Sequence, residues 1–178
     1  MPLPENSQIV RLTPDYTFKR FNCGDSDLNE FLLEDSISYL RKLLAVTNII
    51  ENNDQIIAFF SLLNDKITID DTPSKNQWKK LFKKTTGKSF KSHPAMKIGR
   101  LGVDVNYQSS GIGTIILDYL KNLFIDNNRT GCRFITVDAY RESLAFYQRN
   151  DFQFMTSEDE NADTRLMYFD LYTLSDDN

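Results

Sequence analysis

Between Met96 and Phe124 the chain has few choices of structure. Residues Met96 to Val105 are rich enough in apolar side chains to form a strand, and Asn106 and Tyr107 break it. Gln108-Ser109-Ser110-Gly111-Ile112-Gly113 follows, and then Ile112, Ile115, Ile116, Tyr119, Leu120, Leu123 and Phe124 recur at helical spacing. Asp118, Lys121, Asn122 and Asp126 fall on the other side, which predicts an amphipathic helix. A strand that passes through two close glycines into a helix is suited to holding phosphate. Glycine lets the backbone approach a ligand, the first amides of a helix lack internal partners, and the helix dipole favours an anion there. Ser109 and Ser110 are small enough to keep the mouth of the turn open, and their hydroxyls are candidate donors. The pattern lacks the Gly-Lys-Ser/Thr of a Walker loop and the three glycines of a dinucleotide fingerprint. By itself a glycine pair before a helix also serves as a plain tight connection.

The rest of the chain reads as one mixed α/β domain of residues 1–178. Gln8 to Leu12 predicts a first strand, and Asp25 or Ser26 caps a helix carrying Leu28, Phe31 and Leu32. A second helix is expected from about Asp35 to Leu43. Strands over Ala45 to Glu51 and Gln55 to Leu63 flank Asn52-Asn53-Asp54, a hairpin turn by its residue types. Residues 70–94 are polar and lysine-rich, with one helix around Trp78 to Lys84, and read as an insertion or surface excursion. Downstream, Arg133 to Ala139 is a strand, Arg141 to Asn150 a short helix, and Phe152 to Met155 and Thr164 to Leu171 the closing strands. One mixed sheet with helices around it accounts for this order.

Composition narrows the function. With 40% hydrophobic residues, 13 Phe and 8 Tyr, the chain can bury a core and is not disordered. The start, Met1-Pro2-Leu3-Pro4-Glu5, has no basic n-region and no apolar h-region, and no stretch has the length of a membrane span, so a cytoplasmic location is expected. Cys23 and Cys132 read as two reduced thiols. A single histidine, His93, argues against a histidine metal site or a Ser-His-Asp triad, and no metal is expected. Residues 66–100 hold ten basic side chains against Asp70 and Asp71, so this stretch is +8 and the remainder of a −4 chain is −12. A solvated face is the bland reading of such a run; a docking surface for an acidic partner such as RNA is the sharper one.

The stretch "GRLGVDVNYQSSGIGTIILDYL", Gly99 to Leu120, closely resembles the acetyl-CoA-binding motif of the GNAT acetyltransferases. In that family the motif is Arg/Gln-x-x-Gly-x-Gly/Ala between strand and helix, and Gln108, Gly111 and Gly113 occupy its marked positions. "ITVDAYRESLAFYQRNDFQFM", Ile135 to Met155, resembles the family's closing strand-helix-strand. "FNCGDSDLNEFLLEDS", Phe21 to Ser36, is similar to a narrower branch that includes toxins acetylating aminoacyl-tRNA. Two departures stand out. Asp151 replaces the usual glycine of the Phe-Tyr ending, where Asn150-Asp151 can still supply a left-handed residue. Ser109 and Ser110 replace a position often basic, which shifts diphosphate binding toward backbone amides.

The resemblance implies a GNAT fold, with a central mixed, mostly antiparallel sheet flanked by helices, and acetyl-CoA as co-substrate. It also implies roles. The amides of Gln108, Ser109, Ser110, Gly111, Ile112, Gly113 and Thr114 hold the diphosphate, and main-chain groups of Leu101, Gly102 and Val103 pair with pantetheine and thioester. Tyr147 sits at the family position of the acid that protonates the departing thiolate; spacing alone favours instead a residue that packs its helix onto the sheet. Tyr140 is the second choice. Asp104, Glu51 and Asp138 are candidate bases, although an α-amine titrating near pH 8 can react through water. The expected activity is acetyl transfer to a primary amine by direct attack in a ternary complex. Two alternatives remain: a toxin acting on aminoacyl-tRNA through the basic insertion, and a non-catalytic GNAT-fold binding module. A basic insertion and an acidic tail also suit a homodimer.

Overall fold

The structure, a computed structural model, describes residues 3–82, 90–126 and 130–175. Seven strands, β1 (Gln8–Arg11), β2 (Val46–Glu51), β3 (Ile56–Thr68), β4 (Ser92–Val103), β5 (Phe134–Tyr140), β6 (Gln153–Phe154) and β7 (Thr164–Asp170), follow the order β1-β2-β3-β4-β5-β7-β6. The pairs β1/β2, β2/β3, β5/β7 and β6/β7 are antiparallel. β4 and β5 are parallel, and their ladder comprises Ala95–Lys97 against Phe134–Thr136. The helices are α1 (Ser26–Glu30), α2 (Ser36–Arg41), α3 (Lys75–Leu81), α4 (Ile112–Asp126) and α5 (Leu144–Arg149). None of the described helices is long and apolar enough to cross a membrane. Two compact units emerge, Met1–Leu63 with Ile98–Leu120 and Asn64–Lys97 with Lys121–Asn178.

In the first unit, Asp25 caps α1 by accepting from the Leu28 amide at 3.0 Å. The two helices expected there run on without a break through a π-helical turn, Phe31–Asp35. In that wider turn the Ser36 amide bonds Phe31 rather than Leu32, and the buried Ser36 hydroxyl donates to the Leu32 carbonyl instead. The core gathers Leu12, Phe21, Phe31, Leu32, Ile49 and Phe59. Phe59 is its centre, with Phe21 edge-on at 5.5 Å and Phe31 stacked at 6.2 Å. The β2–β3 hairpin turns at Asn52, whose side-chain oxygen accepts from the amides of Asp54 and Gln55. Glu51 is buried and accepts from the Tyr16 hydroxyl, from Gln8 at 3.2 Å and from Lys19 at 3.2 Å. Burial pushes its carboxyl up, but these hydrogen bonds outweigh that and hold it below its ordinary value.

In the second unit β3 runs five residues past the predicted end. Its charged continuation is stable because Asp65 accepts from the Thr136 hydroxyl at 2.6 Å and lies 3.8 Å from Lys97. The lysine-rich stretch is no mere surface excursion. Ser74 caps α3, which buries Trp78 and leads to buried Phe82. These pack with Ile67, Ala95, Phe134, Met155 and Tyr168. The Trp78 indole donates to the Phe90 carbonyl at 3.0 Å. His93 is buried against Phe82 and Phe134, and burial, then the nearby Arg133 cation, hold its ring below the ordinary pKa despite Asp170. β4 begins at Ser92, ahead of the predicted Met96. Lys83, Lys84 and Lys88, and with them the end of the predicted Trp78–Lys84 helix, lie outside the described residues.

Candidate functional site

The cofactor residues expected from the sequence all lie in the first unit, from the end of β4 through the connecting turn to the start of α4. Gly99 and Gly102 bring this end of β4 tight against large side chains. A β-carbon at Gly102 would stand 2.7 Å from the Phe59 ring, and one at Gly99 2.7 Å from Leu63. At Gly102, against the fully buried Phe59 ring, only a residue without a side chain permits this approach. Leu101 and Val103 are half-buried on either side.

Beyond Val103 the turn is built by side-chain hydrogen bonds. Asp104 is buried, and its carboxylate accepts from the Asn22 amide (3.0 Å), the Asn106 amide (3.0 Å) and the Asn106 side chain (2.9 Å). Those three bonds take up most of the acceptor sites of the carboxylate and tie Asp104 to the turn. Glu51 is likewise engaged, by Tyr16, Gln8 and Lys19, whereas Asp138 is half exposed and meets Lys97 at 2.9 Å through one oxygen. The Gln108 side-chain amide donates to the carbonyls of Cys23 (2.8 Å) and Val103 (3.0 Å). Both its hydrogens are thereby used, and only its main chain is left to meet an anion. The Ser110 hydroxyl donates to the Tyr107 carbonyl, so its hydrogen is also committed and the added donor expected there is absent.

Ser109 (φ +59°) and Gly111 (φ +85°) both take left-handed backbone, and open space surrounds the position of a Gly111 β-carbon. The Gly111 carbonyl accepts the first helical bond, from the Ile115 amide at 3.1 Å. The amides of Gly111, Ile112, Gly113 and Thr114 therefore open α4, and no described residue accepts from them. No acidic side chain stands in the first helical turn. Four unsatisfied donors at a helix start, with a bare glycine in front, form an anion cradle.

α4 buries a different stripe from the one predicted. Ile112, Ile116, Leu117, Leu120 and Lys121 face inward, whereas Tyr119 and Leu123 remain over a third exposed. Leu117 joins the buried stripe beyond the residues the spacing predicts, and Lys121, expected on the polar side, lies inward with it.

Tyr147 belongs to the second unit. It lies on α5, is 6% exposed, and sits edge-on to Phe146 at 5.0 Å and Phe152 at 5.3 Å. Among the described residues nothing hydrogen-bonds its hydroxyl. Burial pushes its pKa well up, so the phenol keeps its proton at any ordinary pH. Asp151 takes the left-handed conformation (φ +66°) that a glycine would take in the motif, and Asn150 does not. Tyr140 ends β5 and is half exposed.

Residues 86–171 match the family model of an acetyltransferase (GNAT) domain. No curated protein matches the chain. Among solved structures, a tyrosine-to-phenylalanine mutant of the AtaT toxin is 21% identical, with 98% of this chain and 94% of that one covered at a TM-score of 0.78. AtaT complexed with acetyl-methionyl-tRNAfMet is 23% identical over 94% of this chain and 96% of that one, TM-score 0.77. AtaTR bound with AcCoA is 22% identical over 96% and 97%, TM-score 0.76. These likenesses establish a shared fold over nearly the full length of each chain.

Proposed function

We propose that this chain, whose residues 86–171 match an acetyltransferase (GNAT) domain model, moves an acetyl group from acetyl-CoA to a primary amine by direct attack in a ternary complex. The observation that carries this reading is the row of unpartnered amides from Gly111 to Thr114. In this assignment they hold the coenzyme's diphosphate, helped by the main chain of Gln108, Ser109 and Ser110. Leu101, Gly102 and Val103 offer their backbone to pantetheine and thioester, where a preorganised amide facing the developing oxyanion contributes about 3 kcal/mol. Tyr147 gives its proton to the sulfur as the C–S bond breaks. Burial raises thiolate basicity as well as phenol pKa, so both partners of that transfer shift in the same direction. Asp104 and Glu51 are tied into structural hydrogen bonds, and the amine, titrating near pH 8, is deprotonated through water. We place the enzyme in the cytoplasm.

A second, narrower reading makes the acceptor the α-amine of aminoacyl-tRNA. It is supported by the AtaT complex with acetyl-methionyl-tRNAfMet and by the exposed lysines Lys66, Lys75, Lys79, Lys80 and Lys91 of the second unit. AtaT is also solved with the C-terminus of its antitoxin AtaR, which extends the reading to a protein partner of that kind. Coenzyme A release should be followed with acetyl-CoA and, in turn, small amines, peptides and charged tRNA, at low and high salt. Release specific to charged tRNA and falling steeply with salt is the expected result for the narrower reading. Release with small amines, indifferent to salt, would remove it, and silence with every acceptor would leave a binding module.

A further inference from the structure

We propose that Lys121 is a positioning residue for Tyr147, acting through the carboxyl end of α5; the inference rests on the acid role assigned to Tyr147 above. Lysine is rarely buried without partners, yet Lys121 is only 7% exposed. Its ammonium donates to the Asn150 carbonyl at 3.1 Å, stands 3.9 Å from the Asp151 carboxylate and lies 4.4 Å from the Phe169 ring centre. Asn150 is itself buried; its side chain donates to the Phe146 carbonyl at 2.8 Å and its amide to the Tyr147 carbonyl at 3.0 Å. The Phe152 amide returns to the same Tyr147 carbonyl at 3.0 Å.

The cation thus reaches Tyr147 by two routes. One is the main chain, through Asn150. The other is a run of rings, from Phe169 to Phe152 (5.8 Å) and from Phe152 to Tyr147 (5.3 Å). α5 has six residues, so few internal bonds hold its orientation, and its last carbonyls favour a cation. One residue beyond Asn150, Asp151 holds left-handed backbone, which aspartate tolerates better than most residues, with its carboxylate 3.9 Å from the Lys121 ammonium. Acid catalysis is sensitive to displacements of about 1 Å, which gives a residue with no contact to the substrate a measurable effect.

Lys121→Met keeps the length of the stem and removes the ammonium. With ring-labelled tyrosine, the Tyr147 signal, assigned by its loss in Tyr147→Phe, should broaden or split in Lys121→Met with no ligand present. With acetyl-CoA and whichever of the small amines, peptides or charged tRNA gives coenzyme A release with wild type, kcat should fall about tenfold while KM for acetyl-CoA stays within about twofold. Added to Tyr147→Phe, the change should cost nothing further, because its route of action is already gone. A sharp, unshifted Tyr147 signal, or the same tenfold loss in the Tyr147→Phe background, would overturn the proposal. If Tyr147→Phe turns over like wild type, or wild type releases no coenzyme A, the acid reading fails by itself and the tyrosine signal still decides whether Lys121 positions the ring. Lys121→Gln, whose amide stops short of Asn150, is read by the same criteria should Lys121→Met not fold.

Discussion

Replacing Tyr147 by phenylalanine is expected to lower kcat about a hundredfold and to leave acetyl-CoA affinity unchanged. The substitution removes one oxygen from a ring that is 6% exposed and in edge contact with Phe146 and Phe152. Packing is preserved, and because no described residue hydrogen-bonds the hydroxyl, no structural bond is broken. Only the proton donor is lost, and a positioned acid contributes between about 10² and 10⁴ in rate. A fall confined to kcat is the mark of an interaction made in the transition state. Burial holds the phenol protonated, so the rate should show no loss from tyrosine ionisation across the neutral and mildly alkaline range. Steady-state kinetics of coenzyme A release, with calorimetric binding of acetyl-CoA to both proteins, checks the pair of expectations. Turnover equal to wild type would return Tyr147 to the role of a packing residue.

The second large effect lies far from that chemistry. Trp78→Ala should cost about 3–5 kcal/mol of folding stability, read as a lowered denaturant midpoint. Trp78 is 3% exposed, its ring centre is 4.2 Å from that of Phe82 and 5.4 Å from that of His93, and its indole nitrogen donates to the Phe90 carbonyl. Truncation leaves a cavity among these rings and an unpaired carbonyl. A residue on a solvated excursion would cost at most about 0.5 kcal/mol when removed. The experiment therefore separates an insertion laid over the surface from one that supplies part of the second unit's core.

The contrast shows which signals a sequence carries locally. The hairpin at Asn52 and the cap at Asp25 were legible because each is made by a side chain bonding amides within three residues. The end of β3 was not, because nothing local carries a strand over Asp65 and Lys66; Thr136, 71 positions away, supplies the hydroxyl that Asp65 accepts from. The helix of Trp78 was visible, but its burial depends on Phe134, Met155 and Tyr168, which arrive from distant strands. In the site, the two glycines marked the turn correctly. What holds the turn came only with the fold, since Gln108 is tied to a carbonyl 85 positions earlier. Lys121 was placed on the polar face of α4 by its charge alone. Nothing near it in sequence announces the Asn150 carbonyl that makes its burial tolerable.

Titration of the intact protein with acetyl-CoA, by calorimetry and by thermal melting, tests the amide cradle at Gly111 most directly. One molecule should bind per chain, and at a hundred times the dissociation constant the folded state should gain about 2.7 kcal/mol. For a chain of this size that corresponds to a melting temperature raised by about 5–10 °C. Absence of binding heat, together with a melting curve unmoved by millimolar acetyl-CoA, would contradict the account at its root.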